Sequence, residues 1–175
     1  REGIENYEPL EPLIRDFWLP DLQVMGARDN KGSDEGFFFA AKGGHNAESH
    51  NHNDVGSFVL YYDGQPVLID AGVGTYTAQT FSAQRYSIWT MQSAYHNLPT
   101  INETMQQAGR NFAASGVRYL AADKKVNFTL NIAGAYPEKA QVASWIRTYI
   151  LNRGKGLAIA DRYQLNSFNE PFTYS

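Results

Sequence analysis

Three of the four histidines of this chain lie in one short polar segment. Residues 43–54 read Gly-Gly-His-Asn-Ala-Glu-Ser-His-Asn-His-Asn-Asp and contain His45, His50 and His52. In an extended stretch, His50 and His52 point to the same face because side chains alternate. Zinc accepts imidazole nitrogens and carboxylate oxygens, so this pair predicts part of a metal site. The alternative is a surface loop whose histidines bind nothing, since short motifs often match by chance.

Two further candidate ligands, Asp70 and His96, lie downstream. Asp70 ends the apolar run Val67-Leu68-Ile69, and a buried carboxylate is costly unless it is paired or bound to a metal. An aspartate that merely caps a strand end is the alternative interpretation. His96 stands before Asn97 and a predicted strand, and alone it would be unremarkable.

Regular strand geometry does not bring these residues together. In a hairpin with a two-residue turn, Asp70 faces about Ser57, and His52 is then roughly 16 Å further along an extended strand. The sequence therefore requires a bend, which Gly56 permits. Asp54 stays a rival ligand because it directly follows the histidine pair.

Three side chains of the central region are candidates for contacting a substrate. Arg85 can hold a carboxylate or sulfate through its planar guanidinium. Tyr86 can act as a general acid or base when its pKa is lowered, and Trp89 can stack on a sugar ring. Core packing is the alternative for the aromatic residues.

Composition limits the classes of function. The net charge is −3 without a long basic block, which argues against a nucleic-acid partner because phosphate binding needs clustered cations. Cysteine is absent, so a transition-metal site must use histidine and carboxylates. The sequence contains no apolar stretch long enough for a membrane span.

Short runs of aromatic and β-branched residues, separated by turn signals, predict an all-β fold. Asp63-Gly64 between two apolar runs predicts a hairpin with a type I′ turn. Regularly spaced strands with short turns favour an antiparallel β-sandwich. The predicted strands are 22–27, 36–41, 55–62, 65–70, 117–121, 126–132, 144–151 and 157–165.

Residues 1–20 are predicted to be a connector with a short helix near 9–15, whose length the prolines restrict. Residues 21–175 are predicted to form the sandwich domain. The chain opens at Arg1 and closes at Ser175 in an unfinished strand pattern. We therefore expect a fragment of a longer protein, truncated at its C-terminus.

The segments that carry these candidates resemble the heparinase II/III family of polysaccharide lyases. The similarity is strongest between Gly36 and Ile101, and beyond it only a general β pattern continues. The matching stretches are Ala40-Ala41-Lys42-Gly43-Gly44-His45-Asn46, Ser49-His50-Asn51-His52-Asn53-Asp54-Val55-Gly56-Ser57-Phe58, Leu68-Ile69-Asp70-Ala71-Gly72 and His96-Asn97.

The resemblance implies roles for five residues. It implies that His52, Asp70 and His96 bind a zinc ion with a structural role. It places His50 in the active site. By a looser correspondence, it also places Tyr86 there.

The resemblance further implies an N-terminal α/α toroid, missing here, and β-elimination of a uronic-acid polymer such as heparin, heparan sulfate or alginate. The β-sheet part alone is then expected to be inactive. A periplasmic or secreted location in a bacterium is expected from the polymeric substrate.

Two other functions stay open at this point. A cupin-like metal enzyme fits Gly44 followed by His50-Asn51-His52, although residues 55–58 lack the glutamate that this motif expects. A non-catalytic carbohydrate-binding or structural β-module also fits, since an isolated β-rich fragment can behave in this way.

Overall fold

The chain was analysed as a computed structural model that describes residues 12–168 and 173–174. These residues form antiparallel strands and short 3₁₀ helices. The strands are β1 Asp16–Leu19, β2 Val24–Arg28, β3 Phe37–Lys42, β4 His45–Asn46, β5 Phe58–Tyr62, β6 Gln65–Leu68, β7 Pro99–Thr100, β8 Gly109–Ala113, β9 Ser115–Ala121, β10 Lys125–Asn131, β11 Val142–Asn152, β12 Gly156–Leu165 and β13 Thr173–Tyr174. The 3₁₀ helices are Ala78–Phe81, Arg85–Ser87, Trp89–Met91, Ser93–Tyr95, Ala133–Ala135 and Glu138–Ala140.

Two sheets build the sandwich. The first has the strand order β1-β2-β3-β5-β6, and the second has the order β12-β11-β10-β9. Small two-stranded pairings join β4 to β8 and β7 to β13. The predicted antiparallel β-sandwich is therefore confirmed.

The second sheet follows the alternation that its sequence predicts. In β10, Val126, Phe128 and Leu130 are buried, while the residues between them are partly exposed. Their partners on β11 include Tyr149, which faces Phe128, and the two rings stack with centroids 6.0 Å apart. One face of this sheet thus supplies half of the core.

Aromatic residues join the two sheets across the core. Phe39 of β3 and Phe58 of β5 contact Tyr149 of β11, with ring centroids 5.1 Å and 5.5 Å away. Burial of one such side chain stabilises a fold by about 1.5–3 kcal/mol. This contact fixes the position of β5, the strand between the histidine segment and Asp70.

The Asp63-Gly64 hairpin forms as predicted, but its register slips. Both turn residues have positive φ, +48° and +70°, as a type I′ turn requires. Tyr62 pairs with Gln65, yet further along Leu60 pairs with Leu68, so an extra residue bulges from β6. β6 ends at Leu68, and Asp70 lies in the loop beyond it.

The N-terminal segment contributes a strand to the first sheet. β1 lies within the predicted connector and pairs antiparallel with β2. Residues 9–11 of the predicted helix near 9–15 fall outside the described residues, and residues 12–15 are irregular instead of helical, since Pro12 disfavours a helix that continues through it. The boundary at residue 20 stays a prediction. Within the described part of the chain, no helix has the length and apolar character for a membrane crossing.

Candidate metal centre and active-site face

Three segments that are distant in sequence converge at His52, Asp70 and His96. One ligand atom from each residue lies within 4.8 Å of the other two. The imidazole rings of His52 and His96 have centroids 5.2 Å apart. His96 Nδ1 is 2.6 Å from Asp70 Oδ2. The three side chains predicted as ligands are therefore within reach of a single ion.

The chemistry of these groups fits a divalent cation such as zinc. Nε2 of His96 is buried and has no hydrogen-bond partner among the residues that the structure describes, which leaves a nitrogen for which a metal is a natural partner. Burial lowers the pKa of His52 and favours the neutral imidazole that binds metals. Burial alone would raise the pKa of Asp70, but the hydrogen bond and charge of His96 outweigh it and lower the pKa. The centre thus combines imidazoles with an ionised carboxylate.

The chain bends sharply between the histidine segment and β5. Gly56 has φ +86°, and a Cβ there would lie 2.6 Å from Cγ2 of Ile132. Glycine is therefore required both by the backbone angle and by the close approach. The amide of Asn53 donates to the carbonyl of Met91 at 2.9 Å, which ties the bent segment to the 3₁₀ helices. The predicted bend is confirmed.

Asp54, the rival metal ligand of the sequence analysis, has a different role. Its Oδ1 accepts a hydrogen bond from Lys42 Nζ at 2.8 Å, and Lys42 also reaches Glu48 at 3.4 Å. Burial lowers the pKa of Lys42, but the two carboxylates outweigh it and raise the pKa. Asp54 is therefore engaged in an ion pair beside the centre and is not one of the three converging groups.

His50 and His52 do not share one face. His50 has φ +57°, a left-handed conformation that is uncommon outside glycine. The stretch is therefore not extended, and the positive φ leaves His50 exposed while His52 is buried. Tyr76 and Phe81 approach the His50 ring edge-on, with centroids at 6.4 Å and 6.3 Å.

Arg85 and Tyr86 both bind Asn51, the residue between His50 and His52. The Tyr86 hydroxyl donates to Asn51 Oδ1 at 3.0 Å. Arg85 donates through Nε and Nη2 to the Asn51 carbonyl at 3.1 Å and 3.0 Å. Its Nη1 donates to another main-chain carbonyl, that of Thr80. The guanidinium therefore holds the histidine loop in place.

The other two sequence candidates are not among the three converging groups. Trp89 is 54% exposed and meets the ring of Tyr95 edge-on at 5.2 Å. This exposure is compatible with sugar stacking. His45 is half-buried, and its Nδ1 accepts a hydrogen bond from the amide of Ala47 at 3.1 Å, which is a local turn contact.

A family model described as heparinase II/III-like, C-terminal, matches residues 23–167. The chain belongs to this family. This membership argues against the cupin-like alternative. A search of curated proteins gave no match.

Solved structures share the fold of this heparinase II/III-like domain. The heparan sulfate lyase HepC from Pedobacter heparinus has a TM-score of 0.69 at 18% identity, over 88% of this chain and 23% of that chain. A heparinase III has a TM-score of 0.66 at 16% identity, over 89% of this chain and 23% of that chain. The domain thus spans under a quarter of the length of these structures.

Two buried positioning residues of the heparinase II/III-like domain were not found from the sequence. Gln106 is 4% exposed, and its Oε1 accepts hydrogen bonds from Asn46 Nδ2 and the Val55 amide, both at 3.1 Å. Its Nε2 donates to the Val55 carbonyl at 2.8 Å, and its amide donates to Ser93 Oγ at 2.8 Å. Gln106 lies in an irregular stretch, so no periodic pattern indicates it.

The second is Arg147, a charged residue on the core face of β11. Its guanidinium forms two hydrogen bonds with Asp161, at 2.9 Å and 2.8 Å. Nη1 also donates to the carbonyls of Gly56 at 3.2 Å and Asn97 at 2.8 Å. These carbonyls flank the histidine segment and His96. The alternation along β11 places residue 147 on the buried face. A charged residue at such a position could have indicated Arg147 from the sequence.

Proposed function

We propose that this domain forms one side of the active site of a polysaccharide lyase that cleaves uronic-acid-containing polysaccharide by β-elimination. The observation that carries the proposal is the convergence of His52, Asp70 and His96 beneath a loop that exposes His50. Family membership supports the lyase class. The rest of the active site is proposed to come from an N-terminal α/α toroid in the full-length protein, so the domain alone is expected to be inactive.

β-Elimination removes the proton next to the uronate carboxylate and protonates the departing glycosidic oxygen. Two groups that can transfer protons are needed, and His50 and Tyr86 are the candidates. His50 is exposed, and Tyr86 reaches Asn51, so both border the same loop. A polar group that neutralises the uronate carboxylate is also required as negative charge develops. We assign that group to the toroid.

A zinc ion held by His52, Asp70 and His96 would supply a structural cross-link between the histidine loop, the loop after β6 and the segment before β7. Two imidazoles and a carboxylate are a ligand set that zinc uses. This cross-link would hold the loop that carries His50 in the conformation that exposes the His50 side chain. Its ring remains available to the substrate.

Arg85 and Trp89 are proposed to favour an anionic polysaccharide on this face. Because the Arg85 nitrogens donate to main-chain carbonyls, we assign to it long-range attraction of the polymer. Exposed Trp89 offers a ring face for stacking. A polymeric substrate also implies a periplasmic or secreted location, which fractionation of the source cells would test.

The test uses the full-length protein with heparin, heparan sulfate and alginate. Near-ultraviolet absorbance reports the unsaturated product of elimination. We expect activity of the wild type on at least one polymer. His50→Ala should lose activity by about 10²–10⁴-fold, as for removal of a general acid or base, while its zinc content changes little. Absence of product from every polymer, or a fully active His50→Ala variant, would refute it.

A further inference from the structure

An exposed aromatic pair lies beside His50 and is not explained by the metal centre. The rings of Tyr76 and Phe81 stack with centroids 5.7 Å apart and an interplanar angle of 27°. Tyr76 is 46% exposed and Phe81 is 69% exposed. Large apolar side chains left this open next to a polar loop commonly mark a binding surface.

We propose that Tyr76 and Phe81 form a stacking surface for one sugar ring of the polysaccharide, adjacent to the ring that reacts at His50. This inference rests on the proposed function, whose substrate class it makes more specific. The apolar C–H face of a pyranose covers an aromatic ring, while the Tyr76 hydroxyl offers a hydrogen bond to a sugar oxygen. Both rings touch His50 edge-on, so a sugar on them lies next to the candidate catalytic group.

The loop that carries the stack is held by specific hydrogen bonds. The Thr77 amide donates to Thr80 Oγ1 at 3.0 Å, and Arg85 Nη1 donates to the Thr80 carbonyl at 2.8 Å. Arg85 in turn holds Asn51 next to His50. The aromatic pair and His50 therefore share one anchoring side chain. A surface fixed in this way binds a ring at a lower entropic cost than a free loop does.

Because the Tyr76–Phe81 surface adjoins His50, a saccharide is favoured over another protein domain as the partner that binds to it. In the proposed function the His50 ring has to meet the polymer, so a domain seated on Tyr76 and Phe81 would close the approach to it. Both rings of the stack are exposed, so a sugar ring can reach them from solvent. We therefore expect Phe81 to affect substrate binding more than the chemical step.

Substitution of Phe81 in the full-length protein tests this surface. The expected result for Phe81→Ala is a rise in KM of about tenfold, equal to about 1.4 kcal/mol, with kcat changed less than threefold and zinc content unchanged. Phe81→Trp keeps an aromatic face and should restore KM. Phe168→Ala is the matched control, because Phe168 is 66% exposed and makes no contact with this loop among the aromatic pairs of the described residues.

Binding is measured separately by retardation of each variant in gels that contain heparan sulfate or alginate. If no polymer is cleaved but Phe81→Ala alone loses retardation, the lyase proposal fails while the stacking surface stands. If cleavage and retardation of Phe81→Ala equal those of Phe168→Ala, the stacking surface is refuted while the lyase proposal stands. The stacking surface is also refuted if Phe81→Ala fails to fold, seen as lost zinc content, and Phe81→Trp does not rescue folding.

Discussion

Replacement of Arg147 by methionine tests how much the second sheet depends on the guanidinium that joins it to the segments of Gly56 and Asn97. Arg147 is 2% exposed, and the Asp161 side chain is 10% exposed. Methionine keeps the length of the side chain but removes every donor. Asp161 then loses two charged hydrogen bonds, and the carbonyls of Gly56 and Asn97 each lose one donor. Breaking a buried ion pair by removing one partner costs about 3–5 kcal/mol.

Hydrogen exchange in the full-length protein measures this cost where it arises. Amide protection in β10 and β11 reports the opening free energy of the second sheet. We expect Arg147→Met to lower it by about 3–5 kcal/mol. Arg15→Met is the control: Arg15 pairs with Asp123, whose side chain is 84% exposed, and such surface pairs contribute about 0–1 kcal/mol. A change below 1 kcal/mol in Arg147→Met would refute the assigned role.

Three further variants test the centre and its supports. His52→Ala should abolish stoichiometric zinc binding, measured by elemental analysis after dialysis, whereas retention of the metal would contradict the ligand assignment. Lys42→Met should lower the free energy of unfolding most near neutral pH. The pKa of Lys42 is raised in the folded state, so the stability from its pairing with Asp54 and Glu48 is fully present below the unfolded pKa of about 10.4. That stability is lost as the pH rises through the folded pKa. In denaturant titrations, the difference in unfolding free energy between the wild type and Lys42→Met should therefore shrink in strong alkali. A difference that does not change with pH would contradict this. Gln106→Leu should lower the free energy of unfolding by about 1–3 kcal/mol, because buried partners lose hydrogen bonds, and an unchanged denaturation midpoint would count against it.

The strands were predictable where alternation or turn chemistry is strong. The predicted segments 126–132 and 157–165 match β10 and β12 within one residue or so. Apolar and polar residues alternate along the first, and the turn residues Asn152-Arg153-Gly154 precede the second. The Asp63-Gly64 turn was predictable for the same kind of local reason. The pairs β4–β8 and β7–β13 involve strands too short, or residues too mixed, for any periodic signal.

The site was less predictable than the sheets that carry it. The histidine pattern indicates metal binding, but the choice of Asp70 over Asp54 depended on family resemblance. Two features separate the two aspartates in the structure. Asp70 lies in the loop beyond β6 and reaches His96, whereas Lys42 engages Asp54. Neither a hydrogen bond between distant segments nor a long-range ion pair leaves a periodic trace in the sequence.

The loop after β6 explains why a metal would matter for the exposed face above it. β6 ends at Leu68, and residues 71–79 are exposed, so few buried contacts hold this loop. At the end next to β6, its hydrogen bonds within the described part of the chain are the one from Asp70 to His96 and the one from Asn97 Nδ2 to the Ile69 carbonyl at 3.1 Å. A metal that joins Asp70 to two buried histidines would therefore fix the segment that leads to Tyr76.

Chelation of the full-length protein should then loosen this loop selectively. Without the cross-link, the amides of Gly72 and Thr77, which donate to Asp70 Oδ1 and Thr80 Oγ1, should exchange faster, because opening this loop disrupts little buried surface. Amides of β10 and β11 should keep their protection, since their ladder and core contacts lie on the opposite sheet. Added zinc should restore the slow exchange. Equal loss of protection in the loop and in β10 would mean that the metal supports the whole fold, and no change in the loop would mean that Asp70 is held without it.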